Sequence, residues 1–185
     1  RYLGRCDLPS SILYNPVDLG KFSPALPTGR SGPLRLLAAG THGTPDRVSS
    51  VIGMIAELRR RGIDSMLTLA GRFQWHGGEK DAVKWADDLG VGHLVKRLPS
   101  FSQDDAADLY RAHDLLIHPK YMDPCPTVVI EALSCGLPVV GSASGGMPEL
   151  VPSSCGVLIP ADEDWTILQT PSGKQLAEAA VRILP

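Results

Sequence analysis

The stretch "DPCPTVVIEALSCGLPVV" (residues 123–140) predicts a helix that leads directly into a buried strand. Pro126 suits the first position of this helix, with Cys125 before it, because proline lacks the N–H that this position leaves unpaired. Apolar side chains at helical spacing predict one face that packs on a sheet. The opposite face carries a polar stripe, formed by Thr127, Glu131 and Ser134.

Strand and helix signals alternate along the rest of the chain. Short apolar runs predict strands at 34–40, 65–71, 93–98, 114–119, 138–143 and 156–160. Apolar residues at helical spacing predict helices at 46–62, 79–90, 102–113, 126–136, 146–151 and 175–184. Because the strands are apolar on both faces, helices must cover both sides of the sheet. We therefore predict an α/β fold with a Rossmann-like, doubly wound, mostly parallel sheet.

Composition excludes several classes of protein. The 185 residues are 43% hydrophobic and 21% charged, and the formal net charge of −2 gives no attraction to nucleic acid. No apolar run is long enough for a transmembrane segment. The four cysteines form no Cys-x-x-Cys pair, so we expect no metal site and reduced thiols, as in the cytoplasm.

Proline is frequent in residues 1–33, which predicts a linker segment before one domain at 34–185. The chain begins at Arg1, and a helical pattern continues almost to Pro185. We expect it to be a piece of a longer protein.

The predicted helix start at Pro126 is a candidate anion site. The backbone N–H groups of Thr127, Val128 and Val129 are expected to lack intrahelical partners, and the helix dipole adds positive potential. Glu131 lies one turn further on, where a carboxylate can accept bonds from the hydroxyls of a ribose. Asp123 can accept bonds from hydroxyls at the other end of such a ligand. The alternative is that both acids are solvated surface groups.

Two other strand-to-helix turns can reach the same ligand. In "GTHGTPDR" (40–47), Thr44 is predicted as N-cap and Pro45 as the first helical residue. Arg47 either contacts a phosphate or is an ordinary exposed arginine. In "RLPSFSQ" (97–103), the backbone can bind a flat base, and Phe101 either packs near that base or belongs to the core.

The stretch "HPKYMDPCPTVVIEALSCGLPVVGSASGGMPELV" (118–151) resembles the signature of the retaining GT-B glycosyltransferases of group 1 (family 4). That signature has an acid, seven spacer residues and a Glu, then a Gly-x-Pro-Val-Val run and a Gly-Gly-x-x-Glu turn. "ILYNPVD" (12–18) is similar to the family's lead-in to its C-terminal domain. The resemblance covers essentially the whole chain.

The resemblance implies a nucleotide-sugar-binding C-terminal domain of a hexosyltransferase-type enzyme that needs no cofactor or metal. Its donor-binding residues would be Glu131, Cys125, Thr127, Val128, Val129, Thr41, Arg47, Leu98 and Phe101, with Asp123 as the catalytic residue. The sugar or lipid-linked acceptor would bind through an N-terminal domain outside this chain. The family often works in the cytoplasm, or peripherally at the inner membrane face.

Two departures from the family pattern concern charge and reach. Asp123 replaces the usual Glu and is one methylene shorter. The two cations that neutralise the leaving diphosphate in the family are matched by Thr41 and Asp46. Substitute cations are then expected among three side chains: Arg47, which we favour, Arg72 and Lys120.

Other functions fit parts of the pattern. The altered cations suit a catalytically degenerate domain that binds nucleotide sugar or a protein partner. A GT-B nucleotide-sugar epimerase shares the fold, although the spacing between Asp123 and Glu131 argues against it. A response-regulator domain needs acids after the first strand, where Gly40 and Thr41 stand instead.

Overall fold

The computed structural model describes residues 11–25, 31–162, 164 and 166–184. Its six strands are β1 (Leu34–Ala39), β2 (Ser65–Ala70), β3 (Val95–Leu98), β4 (Leu115–His118), β5 (Val139–Ala143) and β6 (Gly156–Pro160). Its α-helices are α1 (Pro45–Arg60), α2 (Gly78–Asp88), α3 (Ala106–Arg111), α4 (Thr127–Ser134), α5 (Met147–Leu150) and α6 (Gly173–Val181). Every predicted helix and strand is present, and the predicted α/β class is confirmed.

All six strands are parallel and lie in one sheet in the order β3-β2-β1-β4-β5-β6. This is the order of a doubly wound Rossmann-type sheet. The order reverses between β1 and β4, so the helices that follow these two strands cover opposite faces. Such sheets bind ligands in the crevice at the carboxyl ends of the strands on either side of this reversal.

Each face of the sheet has its own hydrophobic core. Successive residues of β1 point to opposite faces, so that Leu36 belongs to one core and Leu37 to the other. Helices α1, α2 and α6 pack on the first core, and α3, α4 and α5 pack on the second. This double covering explains why the strands are apolar on both faces.

The start of α4 differs from the prediction by one residue. Pro126 has φ −70° and ψ 110°, which is extended backbone, so it is the N-cap and Thr127 is the first helical residue. The carbonyl of Pro126 accepts a hydrogen bond from the amide of Val129 at 3.0 Å. The expectation of three unpaired amides was therefore wrong for Val129, because the N-cap carbonyl already pairs it.

Residues 11–25 form no helix or strand but pack on the domain. Phe22 is buried in the second core, with its ring 6.2 Å from that of Tyr110. Residues 1–10 and 26–30 of the predicted linker at 1–33 lie outside the described residues, and so does Cys6. The three described cysteines, Cys125, Cys135 and Cys155, are free thiols.

Candidate functional site

A cavity of about 280 Å³ opens at the carboxyl ends of β1 and β4, where the strand order reverses. Its volume is near the lower end of the range for small-molecule sites. Six of the predicted site residues line it: Thr41, Arg47, Asp123, Cys125, Thr127 and Val128. The structure therefore brings together side chains from two turns that are about 80 residues apart in the sequence.

Two helices begin at this cavity. Helix α1 starts at Pro45 behind the N-cap Thr44, as predicted, and α4 starts at Thr127. Within the described part of the chain, the amides of Thr127 and Val128 make no backbone hydrogen bond. Unpaired amides and the positive ends of two helix dipoles both favour a bound anion.

Two of the three candidate cations line the cavity. The guanidinium of Arg47 is half-buried and donates from Nη2 to the carbonyl of Thr41 at 2.7 Å. Burial lowers the pKa of Arg47, and the nearby Asp123 partly opposes this. Lys120 is the second cation. Arg72 does not line this cavity and belongs to a separate surface groove beside Trp75.

Asp123 is buried and held at one of its two oxygens. Its Oδ2 accepts hydrogen bonds from Nε2 of His118 at 3.1 Å and from Nζ of Lys120 at 3.0 Å. Burial alone would raise the pKa of Asp123, but these two donors lower it to about 2. Oδ1 makes no hydrogen bond among the described residues, so this oxygen is available to a ligand.

Two buried histidines contribute to the cavity wall and were not predicted. Burial lowers the pKa of His118, whose neutral ring donates to Asp123. Burial lowers the pKa of His42 to about 4, and Arg47 lowers it further. Nε2 of His42 is buried without a hydrogen-bond partner in the described structure, and the ring packs 5.0 Å from Phe73. Both rings are therefore neutral at pH 7.

The turn at Gly145 and Gly146 supports the loop that carries Asp123. Gly145 has φ +61°, and a Cβ there would lie 2.4 Å from the carbonyl oxygen of Asp123. The amide of Gly146 donates to that same oxygen at 2.8 Å. This close backbone approach fixes the main chain on one side of the cavity.

Glu131 lies behind the cavity and does not line it. It is only 5% exposed and accepts hydrogen bonds from the hydroxyl of Tyr110 and from Nε2 of Gln103, both at 2.8 Å. Burial raises the pKa of Tyr110, and the bond to Glu131 raises it further, so this phenol stays a donor. Gln103 is exposed on the turn before α3.

The remaining predicted residues, Leu98, Phe101 and Val129, do not line the cavity. The carbonyl of Leu98, at the end of β3, accepts from the amide of Gly71 at 2.8 Å. Phe101 is half-buried and packs against the second core. Val129 is fully buried in that core. The predicted base-binding role of Leu98 and Phe101 stays a prediction.

The sequence held one signal that would have identified the histidines. His118 is the last residue of β4, and His42 lies in the turn after β1. The carboxyl ends of these two strands flank the reversal in strand order, where ligands bind in such folds. Their burial and pairing depend on tertiary contacts, which the sequence does not display.

Three comparisons with known proteins bear on this site. A profile of the family described as "Glycosyl transferases group 1" matches residues 31–169. The D-inositol 3-phosphate glycosyltransferase of Mycobacterium tuberculosis (strain H37Rv) is 36% identical over 111 residues, which cover 54% of this chain and 23% of that protein. The chain therefore spans about a quarter of the length of this curated relative.

Two solved structures share the fold. Anabaena Alr3699/HepE in complex with UDP and glucose has a TM-score of 0.68 at 24% identity, covering 91% of this chain and 45% of that one. The C-terminal domain of a glycosyl transferase group 1 family protein (LpcC) from Francisella tularensis has a TM-score of 0.65 at 14% identity. This second match covers 91% of this chain and 87% of the other.

The described residues also bear on the membrane and metal predictions. Across 11–25, 31–162, 164 and 166–184, no helix has the length and hydropathy needed to cross a bilayer. Among those same residues, His, Cys, Asp and Glu form no group of three or more that could hold a metal ion.

Proposed function

This chain belongs to the glycosyl transferases of group 1, and we propose that it binds the nucleotide-diphosphate sugar from which its parent enzyme transfers a hexose. The observation that carries the proposal is the cavity at the reversal of strand order. It combines unpaired amides at Thr127 and Val128, two helix starts and two cations. A diphosphate is the part of a nucleotide sugar that such a set of donors recognises.

Departure of the nucleoside diphosphate requires stabilisation of the negative charge that develops on it. In the proposal, Arg47 and Lys120 supply the stabilising positive charge. They replace the two cations that the family carries at the positions matched here by Thr41 and Asp46. Donors that are already in position stabilise a transition state without further reorganisation. No metal ion has a part in the proposed reaction, because these groups provide the positive charge.

Asp123 is proposed to face the donor sugar and act as the catalytic residue. Its Oδ2 is fixed by His118 and Lys120, which leaves Oδ1 to accept a bond from a sugar hydroxyl. Its pKa of about 2 keeps it ionised at neutral pH. Retention of configuration at the anomeric carbon is also proposed, and it rests on the resemblance of the Asp123–Glu149 motif to that of the retaining enzymes.

Glu131 is proposed to accept bonds from the ribose hydroxyls. In the present structure one of its oxygens is paired with Gln103, whose amide nitrogen donates as a hydroxyl would. Because Gln103 is exposed, a ribose can displace it and take over its hydrogen bond. Tyr110 would keep the other oxygen in place.

The acceptor is proposed to be a sugar or a lipid-linked glycan bound by an N-terminal domain of the parent protein. A cytoplasmic location, at the inner membrane face for a lipid-linked acceptor, is part of the proposal. The free thiols of Cys125, Cys135 and Cys155 suit a reducing compartment.

Calorimetric titration of the chain with UDP, GDP and ADP tests this proposal. We expect one of the three nucleotides to bind, and Glu131→Gln to weaken that binding at least tenfold. Glu149→Gln is the control, because Glu149 lies in the first turn of α5 and does not line the cavity. Absence of binding by all three nucleotides would contradict the proposal and favour a degenerate domain.

A further inference from the structure

We propose that Asn15 is a positioning residue that orients the hydroxyl of Thr127 to donate a hydrogen bond to an anionic ligand in the cavity. The inference rests on the proposed function, and it assigns a role to a segment 110 residues before the loop that it contacts. Asn15 touches that loop at both Cys125 and Thr127. It does not line the cavity itself.

Asn15 makes three hydrogen bonds to the start of α4. Its Nδ2 donates to the carbonyl of Cys125 at 2.8 Å and to Oγ1 of Thr127 at 3.2 Å. Its backbone N–H donates to Sγ of Cys125 at 3.4 Å. These bonds hold the two residues on either side of the N-cap, so they fix the point at which the helix begins.

The chemistry of the partners decides the orientation of the side-chain amide. The carbonyl of Cys125 can only accept, so the atom of Asn15 that faces it must be the NH₂ group. The second proton of this group is then directed at Thr127, whose Oγ1 must act as an acceptor. If the amide were rotated by half a turn, its oxygen would face the carbonyl of Cys125, and the shorter of the two bonds could not form.

This orientation leaves the hydroxyl proton of Thr127 available for donation. With a lone pair of Oγ1 engaged by Asn15, the O–H can be donated elsewhere, and it has no acceptor among the described residues. Thr127 lines the cavity, and its unpaired amide lies there beside that of Val128. Three donors therefore converge on one region, and all three suit the oxygens of a phosphate group.

Asn15 also neutralises an unfavourable group. A free carbonyl at Cys125, beside the anion site, would repel a phosphate, and the bond from Asn15 occupies it. The neighbouring Tyr14 ties the same segment to α5, since its hydroxyl donates to Oε2 of Glu149 at 3.0 Å. Tyr14 does not line the cavity, so it provides a matched control.

The test measures the affinity of the whole chain for UDP and for inorganic pyrophosphate by calorimetry. We expect Asn15→Ala and Thr127→Val each to lower the affinity for both ligands about tenfold, which corresponds to about 1.4 kcal/mol of binding free energy. The affinity of the double variant should be at most about threefold below that of the single variant with the lower affinity, because Asn15 acts through Thr127. Tyr14→Phe should bind as the unmodified chain does.

Hydrogen exchange without ligand provides an independent measurement. In Asn15→Ala, peptides that cover 123–131 should exchange faster, while peptides from α1 and the thermal midpoint stay unchanged. The inference is overturned if Asn15→Ala binds both ligands normally, if the two losses simply multiply in the double variant, or if exchange at 123–131 is unaltered. If the unmodified chain binds neither pyrophosphate nor any of UDP, GDP and ADP, the proposed function fails, whereas faster exchange at 123–131 in Asn15→Ala would still support the positioning role.

Discussion

Replacing Arg47 by glutamine should weaken the binding of UDP by about 10- to 150-fold. In the structure this guanidinium lines the cavity and is oriented by its bond to the carbonyl of Thr41 at 2.7 Å. A hydrogen bond to a charged group contributes about 1.5–3 kcal/mol, which gives the stated range of affinity. Glutamine keeps a donor and much of the side-chain length, so the loss reports mainly on the charge.

Arg72→Gln is the matched control for this prediction. Arg72 is an exposed arginine that follows the neighbouring strand β2 and does not line the cavity. Calorimetry with UDP at physiological salt should show at most a twofold loss for this variant, because an exposed charge outside the site is screened. Equal losses in the two variants would refute the reasoning, since they would show a general effect of net charge. No loss in Arg47→Gln would refute it as well.

Three further predictions concern stability and metal. Because the pKa of His42 falls from 6.5 to about 4 on folding, the unfolded chain binds a proton more readily than the folded chain as the pH falls. Urea unfolding should therefore show that the free energy of unfolding falls by about 2 kcal/mol more between pH 7 and pH 5 in the unmodified chain than in His42→Leu. Equal pH dependence in the two proteins would contradict this. Gly145→Ala should lower the free energy of unfolding by at least about 2 kcal/mol, more than Gly62→Ala, because both have positive φ but a Cβ meets nothing within 4 Å at Gly62. Dialysis against EDTA should change the affinity for UDP less than twofold, and a loss that Mg²⁺ restores would show that a metal supplies the charge assigned to Arg47 and Lys120.

The order of helices and strands could be predicted because it depends on local signals. Apolar periodicity and the glycines and prolines at element ends are properties of short stretches, and they predicted the six strands and six α-helices of the described residues. The start of α4 was misplaced by one residue because proline suits both the N-cap and the first helical position. Which of the two positions Pro126 takes is visible only in its backbone angles in the folded chain.

The site was predictable only where its residues follow strands. Asp123, Arg47 and Thr127 line the cavity as expected, because the carboxyl ends of β1 and β4 bring their turns together. The pairing of Glu131 with Tyr110 joins residues 21 positions apart on two packed helices, and no local pattern indicates it. The contacts of Asn15 span 110 and 112 positions, and they become visible only in the folded chain.

A crystal structure of this chain with UDP tests the central claim most directly. We predict diphosphate oxygens within about 3.2 Å of the backbone nitrogens of Thr127 and Val128, with the guanidinium of Arg47 in contact with the same group. A diphosphate bound elsewhere, such as the groove beside Arg72 and Trp75, with the amides of Thr127 and Val128 far from it, would contradict the claim.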